Sequence, residues 1–241
     1  MDYCLESDLR LILYRLVKFG VERARATFRP DAPGRGKAQA RTISGARRLN
    51  TKDFVVLVNI RIATLEDVPA LRELIRESVK VLSSQYYTST QIASGLSHVF
   101  GVDTQLILDN TYLVAQVENI IVGCGGWSKR KTLFGGDQLK KQGTEALLDP
   151  TTEPARIRAF YVHPRWSRRG IGSRILQACE IAAGDAGFEQ VELVATLPGV
   201  PFYLARAYEK VHEVPIDTPD GESLPALRMK KILQRAVIHP E

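Results

Sequence analysis

Apolar residues recur at helical spacing between residues 64 and 101. The first predicted helix opens at Thr64, a residue type that favours the N-cap position. The second begins at Thr88, which forms a capping-box pattern with Gln91, and stops at Gly101. The apolar stripes consist of Val68, Leu71, Leu74, Ile75, Val79 and Leu82 in the first helix and of Ile92, Leu96 and Val99 in the second.

Short runs rich in β-branched residues predict strands along the chain. These runs cover residues 55–62, 111–116, 120–127, 158–162, 191–196, 208–216 and 224–232. Two more helices are predicted, over residues 171–186 and 201–208. Glycines at 123, 125 and 126 interrupt the third strand, which indicates a bulge or the close approach of a ligand or another backbone.

Residues 129–153 form a long polar connection between two predicted strands. Connections of this length inside a compact domain are usually functional or disordered. One interpretation is that this segment folds over an active site.

Charge separates the first 56 residues from the remainder. Residues 1–56 hold 12 Lys/Arg against 6 Asp/Glu, whereas the remaining residues hold 21 of each. We predict a basic, largely disordered N-terminal extension over 1–56 and one folded domain over 57–235. A mitochondrial presequence is the alternative, although Asp2 and Glu6 oppose it. A nucleic-acid or membrane role would rest on this extension alone, so we expect neither partner.

Three cysteines (Cys4, Cys124 and Cys179) and four histidines are scattered along the sequence. Such spacing predicts no disulfide framework and no metal site. Free cysteines fit a reducing compartment, and the expected location is the cytoplasm. No apolar run approaches the roughly 20 residues that a membrane-spanning helix needs.

The stretch Ser167–Gly172 combines cations with glycines between a predicted strand and a predicted helix. The start of a helix presents unpaired N–H groups and the positive end of its dipole, so it favours a phosphate. Arg168 and Arg169 add positive charge. The stretch lacks the Walker A spacing, and Ile175 occupies the position where a dinucleotide fingerprint needs glycine.

The order of elements, with this glycine turn after the fourth strand, resembles the GNAT superfamily of acetyl-CoA-dependent N-acetyltransferases. Residues 158–164 with 168–172 look like the acetyl-CoA motif, and residues 202–208 look like the Y-x-x-x-G-[FY] motif. Two positions depart from these patterns. Ser167 occupies the position where the family usually has Gln or Arg, and Ala207 occupies the position where it usually has glycine. The resemblance implies a mixed, mostly antiparallel twisted sheet of six to seven strands flanked by helices.

The resemblance also implies acetyl transfer from acetyl-CoA to a primary amine of a small molecule or peptide, by direct attack in a ternary complex. No metal is implied. Tyr203 would be the general acid that protonates the leaving thiolate. The implied cofactor-binding residues are Phe160, Tyr161, Val162, Ser167, Arg168, Arg169, Gly170, Ile171, Gly172 and Ser173.

The group that removes the amine's proton stays open at this stage. Four side chains are candidates, and an ordered water is another. The four are Asp103, Glu153, His163 and Glu192.

Candidate acceptor contacts are Tyr86, Tyr87 and Trp127, although aromatic residues in such places more often pack a core. The competing hypothesis for the whole protein is a non-catalytic acyl-CoA-binding sensor or scaffold. A homodimer is a further open alternative.

Overall fold

In a computed structural model of the protein, residues 57–139 and 146–234 are described. The prediction for residues 1–56 lies outside them. The described part contains seven strands: β1 Asn59–Ile62, β2 Tyr112–Val117, β3 Ile120–Ser128, β4 Ala155–Val162, β5 Gln190–Thr196, β6 Glu209–Asp217 and β7 Ser223–Ile232. It also contains five α-helices: α1 Val68–Leu82, α2 Ser89–His98, α3 Thr104–Leu108, α4 Ile171–Asp185 and α5 Val200–Leu204.

The strands form one sheet in the order β1-β2-β3-β4-β5-β7-β6. Neighbours are antiparallel except β4 and β5, which run parallel. That parallel pairing consists of Ala155 with Val191 and Arg156 with Glu192. The predicted mixed, mostly antiparallel sheet flanked by helices is therefore confirmed. Beyond these two pairs, β4 and β5 share no ladder.

A bulge bends β4 opposite the glycine-rich part of β3. Cys124 pairs with Tyr161 and Gly126 pairs with Arg158, so Gly125 alone faces two residues of β4. One of those two, Ala159, has a φ of 53°, a left-handed conformation that is unusual for alanine. A side chain at Gly125 would collide with the ring of the other, Phe160. The glycines of β3 thus mark a bulge, as one of the two sequence-based interpretations expected, but its extra residue lies in the neighbouring strand β4.

Two apolar clusters form the core, one on each face of the sheet. The cluster under α4 includes Ile171, Ile175 and Leu176, and the cluster under α1 includes Leu71 and Ile75. Because successive side chains of a strand point to opposite faces of the sheet, the strands contribute residues to both clusters. The predicted stripe of α1 is confirmed at its four central positions, while its end residues Val68 and Leu82 are only partly buried. The four central positions are Leu71, Leu74, Ile75 and Val79.

Capping fixes where the first two helices begin. Thr64 opens a short 3-10 turn that leads directly into α1, and its capping box is completed by Asp67. Thr88 accepts a hydrogen bond from the Gln91 N–H at the start of α2, as its sequence pattern predicts. Helix α2 ends at His98 rather than Gly101.

Two features differ from the pattern-based predictions. Helix α3 was not predicted, because its five residues, Thr104–Leu108, are too few to show a helical periodicity. Helix α5 ends at Leu204 instead of residue 208. Its end has a local cause: Ala207 takes a φ of 62°, which turns the chain out of the helix and into β6.

Candidate functional site

A cavity of about 250 Å³ opens where β4 and β5 separate. Its lining includes residues 157–162 of β4 and 194–196 of β5. Phe202 and Tyr203 contribute from the face covered by α4, while Phe100 contributes from the face covered by α1. The gap in the sheet therefore joins the two faces in a single cavity.

The predicted glycine turn lies at the start of α4, beside this cavity. Gly170 immediately precedes the helix with a φ of 81°, and Arg168 has a φ of 62°. A side-chain carbon added to Gly170 would meet no other atom within 4 Å, so the turn leaves open space there. Gly172, in the first turn of the helix, lines the cavity itself. The N–H groups at the start of α4 thus adjoin an accessible space.

The side chains of the turn make contacts that their sequence pattern did not predict. The hydroxyl of Ser167 donates a hydrogen bond to the Pro164 carbonyl oxygen at 2.8 Å. Its single proton is then already engaged. The guanidinium of Arg169 lies 4.9 Å from the ring centroid of Trp166, as in a cation–π contact.

Arg206 brings a further cation to the start of α4. Its guanidinium lies 4.1 Å from the ring centroid of Phe202 and donates to the Phe202 carbonyl oxygen at 3.1 Å. It also donates to the hydroxyl of Ser173, in the first turn of the helix. Sequence reasoning missed Arg206, although its place inside the 202–208 motif, four residues after Phe202, was an available signal.

Tyr203 points an aromatic side chain at the cavity from helix α5. It is buried, and its ring lies 5.0 Å from Phe202, 5.4 Å from Tyr208 and 6.4 Å from Phe160, centroid to centroid. Burial raises the pKa of its phenol above the ordinary value, and the nearby Cys179 thiol adds to the effect. The phenol is therefore neutral at pH 7 and carries a proton that it can donate.

The three residues at the end of β4, Phe160, Tyr161 and Val162, all line the cavity. The bulge at Ala159 precedes them. Tyr112 and Cys124, both buried, lie beside that bulge. The Tyr112 hydroxyl is 3.1 Å from the Ala159 carbonyl oxygen and 3.2 Å from the Cys124 sulfur. Burial raises the pKa of the Cys124 thiol to about 12, so this sulfur is a neutral packing group rather than a nucleophile.

The candidate bases lie outside the cavity lining that the described residues form. Glu192 is buried against Arg156 and accepts from Arg228 at 2.6 Å. Asp103 forms a fully buried ion pair with Arg158 at 2.8 Å.

The remaining two candidate bases are engaged at the surface. Glu153 accepts from the Asp149 N–H at 2.9 Å, and His163 accepts from the Arg165 N–H at 3.2 Å through Nδ1. Neither side chain belongs to the described lining.

A known protein family matches the segment that contains the glycine turn and Tyr203. Residues 109–210 match the family model described as "Acetyltransferase (GNAT) domain". The part of the chain that this model matches, residues 109–210, is a GNAT acetyltransferase domain. The matched segment runs from the residues before β2 to the start of β6, and it includes the glycine turn and Tyr203. The domain is an acyltransferase domain, and the match supports acetyl transfer as its activity.

Solved structures are similar to this domain, and the first of the two that follow shares its fold. The GCN5-related N-acetyltransferase "Aminotransferase, Class-II" from Rhodopseudomonas palustris has 20% sequence identity and a TM-score of 0.55, and the match covers 73% of this chain and 95% of that one. PaiA N-acetyltransferase from Thermoplasma acidophilum, solved in complex with coenzyme A, has 18% identity and a TM-score of 0.47 over 73% and 99% of the chains. No curated protein sequence matches the chain significantly.

The predicted acceptor contacts of the GNAT domain do not belong to the described lining of the cavity. Trp127 is buried in the core edge-on to Phe188, with ring centroids 6.1 Å apart. Tyr87 is also buried, donates to the Pro225 carbonyl oxygen at 2.7 Å and accepts from the Leu197 N–H at 2.9 Å. Tyr86 is exposed on the surface. Burial therefore favours packing roles for Trp127 and Tyr87, whereas Tyr86 faces solvent away from the described lining.

The long connection before β4 contributes to the cavity instead. Its residues Leu133, Phe134 and Gly135 line the space on the α1 side of the sheet. Their position agrees with the interpretation that this connection folds over the site. In the described part of the chain, no helix combines the length and the apolar character needed to cross a membrane. Within residues 57–139 and 146–234, no group of three or more metal-ligating side chains could hold an ion.

Proposed function

We propose that this protein transfers an acetyl group from acetyl-CoA to a primary amine by direct attack within a ternary complex. One observation carries the proposal. A single cavity connects the glycine turn at the start of α4, the end of β4 and the Tyr203 phenol. These are the three parts that such a reaction needs: a phosphate site, a channel for the acyl arm, and an acid for the leaving thiolate.

The residues at the start of α4 fit the pyrophosphate of acetyl-CoA. Gly170 leaves the backbone accessible, because no atom lies within 4 Å of the position that a side-chain carbon would take. The N–H groups that open the helix are suited to phosphate oxygens. Arg168, Arg169 and Arg206 would provide positive charge around them. With Ser167 bonded to Pro164, these arginines and the backbone would supply the contacts.

The edge of β4 that faces β5 fits the extended arm of the coenzyme. Pairing between the two strands ends at Arg156 and Glu192, so the backbone beyond Ile157 has no partner strand there. An extended amide-containing arm can bind such an edge in the manner of an added strand. The apolar rings of Phe160 and Phe202 would flank it, since both line the same cavity.

Acetyl-CoA supplies an activated thioester, and the protein supplies position and a proton. The amine nitrogen forms a bond to the acetyl carbon while the bond from that carbon to sulfur breaks. Tyr203 donates its phenolic proton to the departing thiolate and recovers a proton from solvent. The described lining contains no carboxylate and no histidine, so in this proposal an ordered water would accept the amine's proton and pass it to solvent.

The alternative is a non-catalytic acyl-CoA-binding module. Such a module would retain the glycine turn but would need no proton donor beside the acyl arm. Tyr203 favours catalysis, because its neutral phenol lines the cavity next to the end of β4.

Calorimetric titration of the intact protein with coenzyme A tests the proposed site. We expect binding in the micromolar range, weakened at least ten-fold, or about 1.4 kcal/mol, by Gly170→Glu or by Arg168→Ala with Arg169→Ala. Arg72→Ala with Arg76→Ala is the matched control, because it removes the same charge from the exposed side of α1. The proposal fails if high micromolar coenzyme A produces no binding heat with the wild-type protein.

A further inference from the structure

The α1 side of the cavity, opposite the glycine turn, is formed mostly by apolar side chains. Its wall combines α1, the segment after α2, the long connection before β4 and strand β6. Six side chains form most of it: Val79, Leu82, Phe100, Leu133, Phe134 and Ile216. An acceptor that reaches the acyl group from this side would contact carbon atoms over most of its surface. Burial of apolar area would then dominate its binding.

Apart from Arg158, the polar side chains on this wall are hydroxyls, and one of them belongs to Tyr161. Ser78 and Ser83, both in or next to α1, contribute hydroxyls, and both residues are buried. Hydroxyls can orient a neutral donor or acceptor but cannot balance a buried ammonium ion.

The charged residue in the described lining is Arg158, and its charge is already compensated. Its guanidinium lies 2.8 Å from the Asp103 carboxylate, with 2% and 0% of the two side chains exposed. The same guanidinium donates to the Gly135 carbonyl oxygen at 2.9 Å. This ion pair is part of the packed wall, so the lining presents an apolar surface with no net charge.

These observations also limit the size of the acceptor. The entire cavity has a volume of about 250 Å³, which is small beside the space that drug-sized ligands occupy. In the proposed complex, the acetyl group and the arm of the coenzyme share that space. A long peptide side chain or a branched polycation would therefore extend beyond it.

We infer that the acceptor is a small primary amine attached to an apolar alkyl or aryl body, with no second cationic group. This inference rests on the proposed function and narrows it to one substrate class. Such an amine gains from contact with the apolar wall at one end and reacts at the other. A diamine or polyamine would bury an extra ammonium group for which the described wall offers no carboxylate.

A matched pair of acceptors tests the inference on the intact wild-type protein. Hexylamine and 1,6-diaminohexane have the same chain length and differ in one terminal amine. Following thiol release from acetyl-CoA, we expect kcat/KM for hexylamine to exceed that for the diamine by at least 100-fold, and 2-phenylethylamine to behave like hexylamine.

Equal or faster reaction of the diamine overturns the inference while leaving the proposed acetyl transfer intact. Absence of transfer to every amine in the panel overturns the proposed function, and the inference with it. The two failures are therefore distinguishable in a single assay.

A carboxylate placed in the wall supplies a second test. Leu82→Asp should raise the diamine-to-hexylamine ratio of kcat/KM at least ten-fold, because it provides the missing partner for the second ammonium. Leu108→Asp is the control, since Leu108 is exposed on α3 and does not line the cavity. If Leu82→Asp does not fold, Ser83→Asp introduces the same charge at a position that is already polar. An unchanged ratio in a folded variant that still binds coenzyme A contradicts the inference.

Discussion

Ala159 sets the direction of β4 at the point where the strand enters the cavity. Its left-handed φ of 53° is unfavourable for alanine, so surrounding contacts must hold it. The Tyr112 hydroxyl, wholly buried, is in position to donate to its carbonyl oxygen. The bulge is therefore maintained by a specific buried hydrogen bond as well as by the glycine opposite.

Removing that hydroxyl should destabilise the protein and disturb the site together. We expect Tyr112→Phe to lower the free energy of unfolding by about 1–3 kcal/mol, because the Ala159 carbonyl loses a buried partner. Chemical denaturation of the variant and the wild-type protein measures this difference in the free energy of unfolding. A stability indistinguishable from wild type would show that the hydroxyl does not hold the bulge.

Tyr203→Phe should separate chemistry from binding. The substitution keeps the ring that packs on Phe202 and Phe160 but removes the proton donor. We expect kcat to fall roughly 100-fold while the dissociation constant of coenzyme A stays within about two-fold. Tyr208→Phe is the matched control, because that neighbouring buried tyrosine bonds Glu180 instead. An unchanged kcat in Tyr203→Phe removes this residue from the acid role.

The pH profile carries an independent signature of the same phenol. Burial raises the pKa of Tyr203 above its ordinary value, so the protonated donor form persists to higher pH and is lost only above the raised pKa. We therefore expect no decline of kcat between about pH 8 and pH 10, where an ordinary phenol begins to ionise. A decline in that range that disappears in Tyr203→Phe would contradict this assignment.

At the scale of elements, local rules identified most of the fold. Capping residues and apolar stripes predicted α1 and α2, and the glycine-rich strand predicted the bulge. The glycine turn was found because its cations and glycines are adjacent in sequence. Arg158 and Asp103 were not recognised as a pair, since 55 residues separate them and only packing brings them together. The cavity wall escaped prediction for the same reason, because its residues come from distant elements.

That buried ion pair joins β4 to the residue that precedes α3. Arg158→Met should cost about 3–5 kcal/mol of stability, because the Asp103 carboxylate stays buried without its partner guanidinium. Replacing both, with Arg158→Met and Asp103→Leu, should recover much of the loss. Arg61→Met provides the comparison, since its ion pair with Asp67 is partly exposed. Thermal or urea denaturation of the three variants and the wild-type protein measures these losses. Equal losses in the two single arginine variants would contradict the importance of burial.

At the scale of the whole molecule, we propose that residues 1–56 form a basic extension attached to a charge-balanced catalytic domain over 57–235. The excess positive charge of the protein lies in that first segment, with 12 basic against 6 acidic residues. Deleting it should abolish salt-dependent retention on a polyanionic column while leaving coenzyme A affinity unchanged. Retention that survives the deletion would place the basic surface in the domain itself.

Amine-dependent release of coenzyme A thiol from acetyl-CoA tests the central claim most directly. With the intact protein and an apolar primary amine, we expect one free thiol and one N-acetylated product, identified by mass spectrometry, for each turnover. Gly170→Glu should abolish both signals at the same donor concentration. Tight coenzyme A binding without amine-dependent thiol release for any acceptor would contradict acetyl transfer and identify the protein as a binding module.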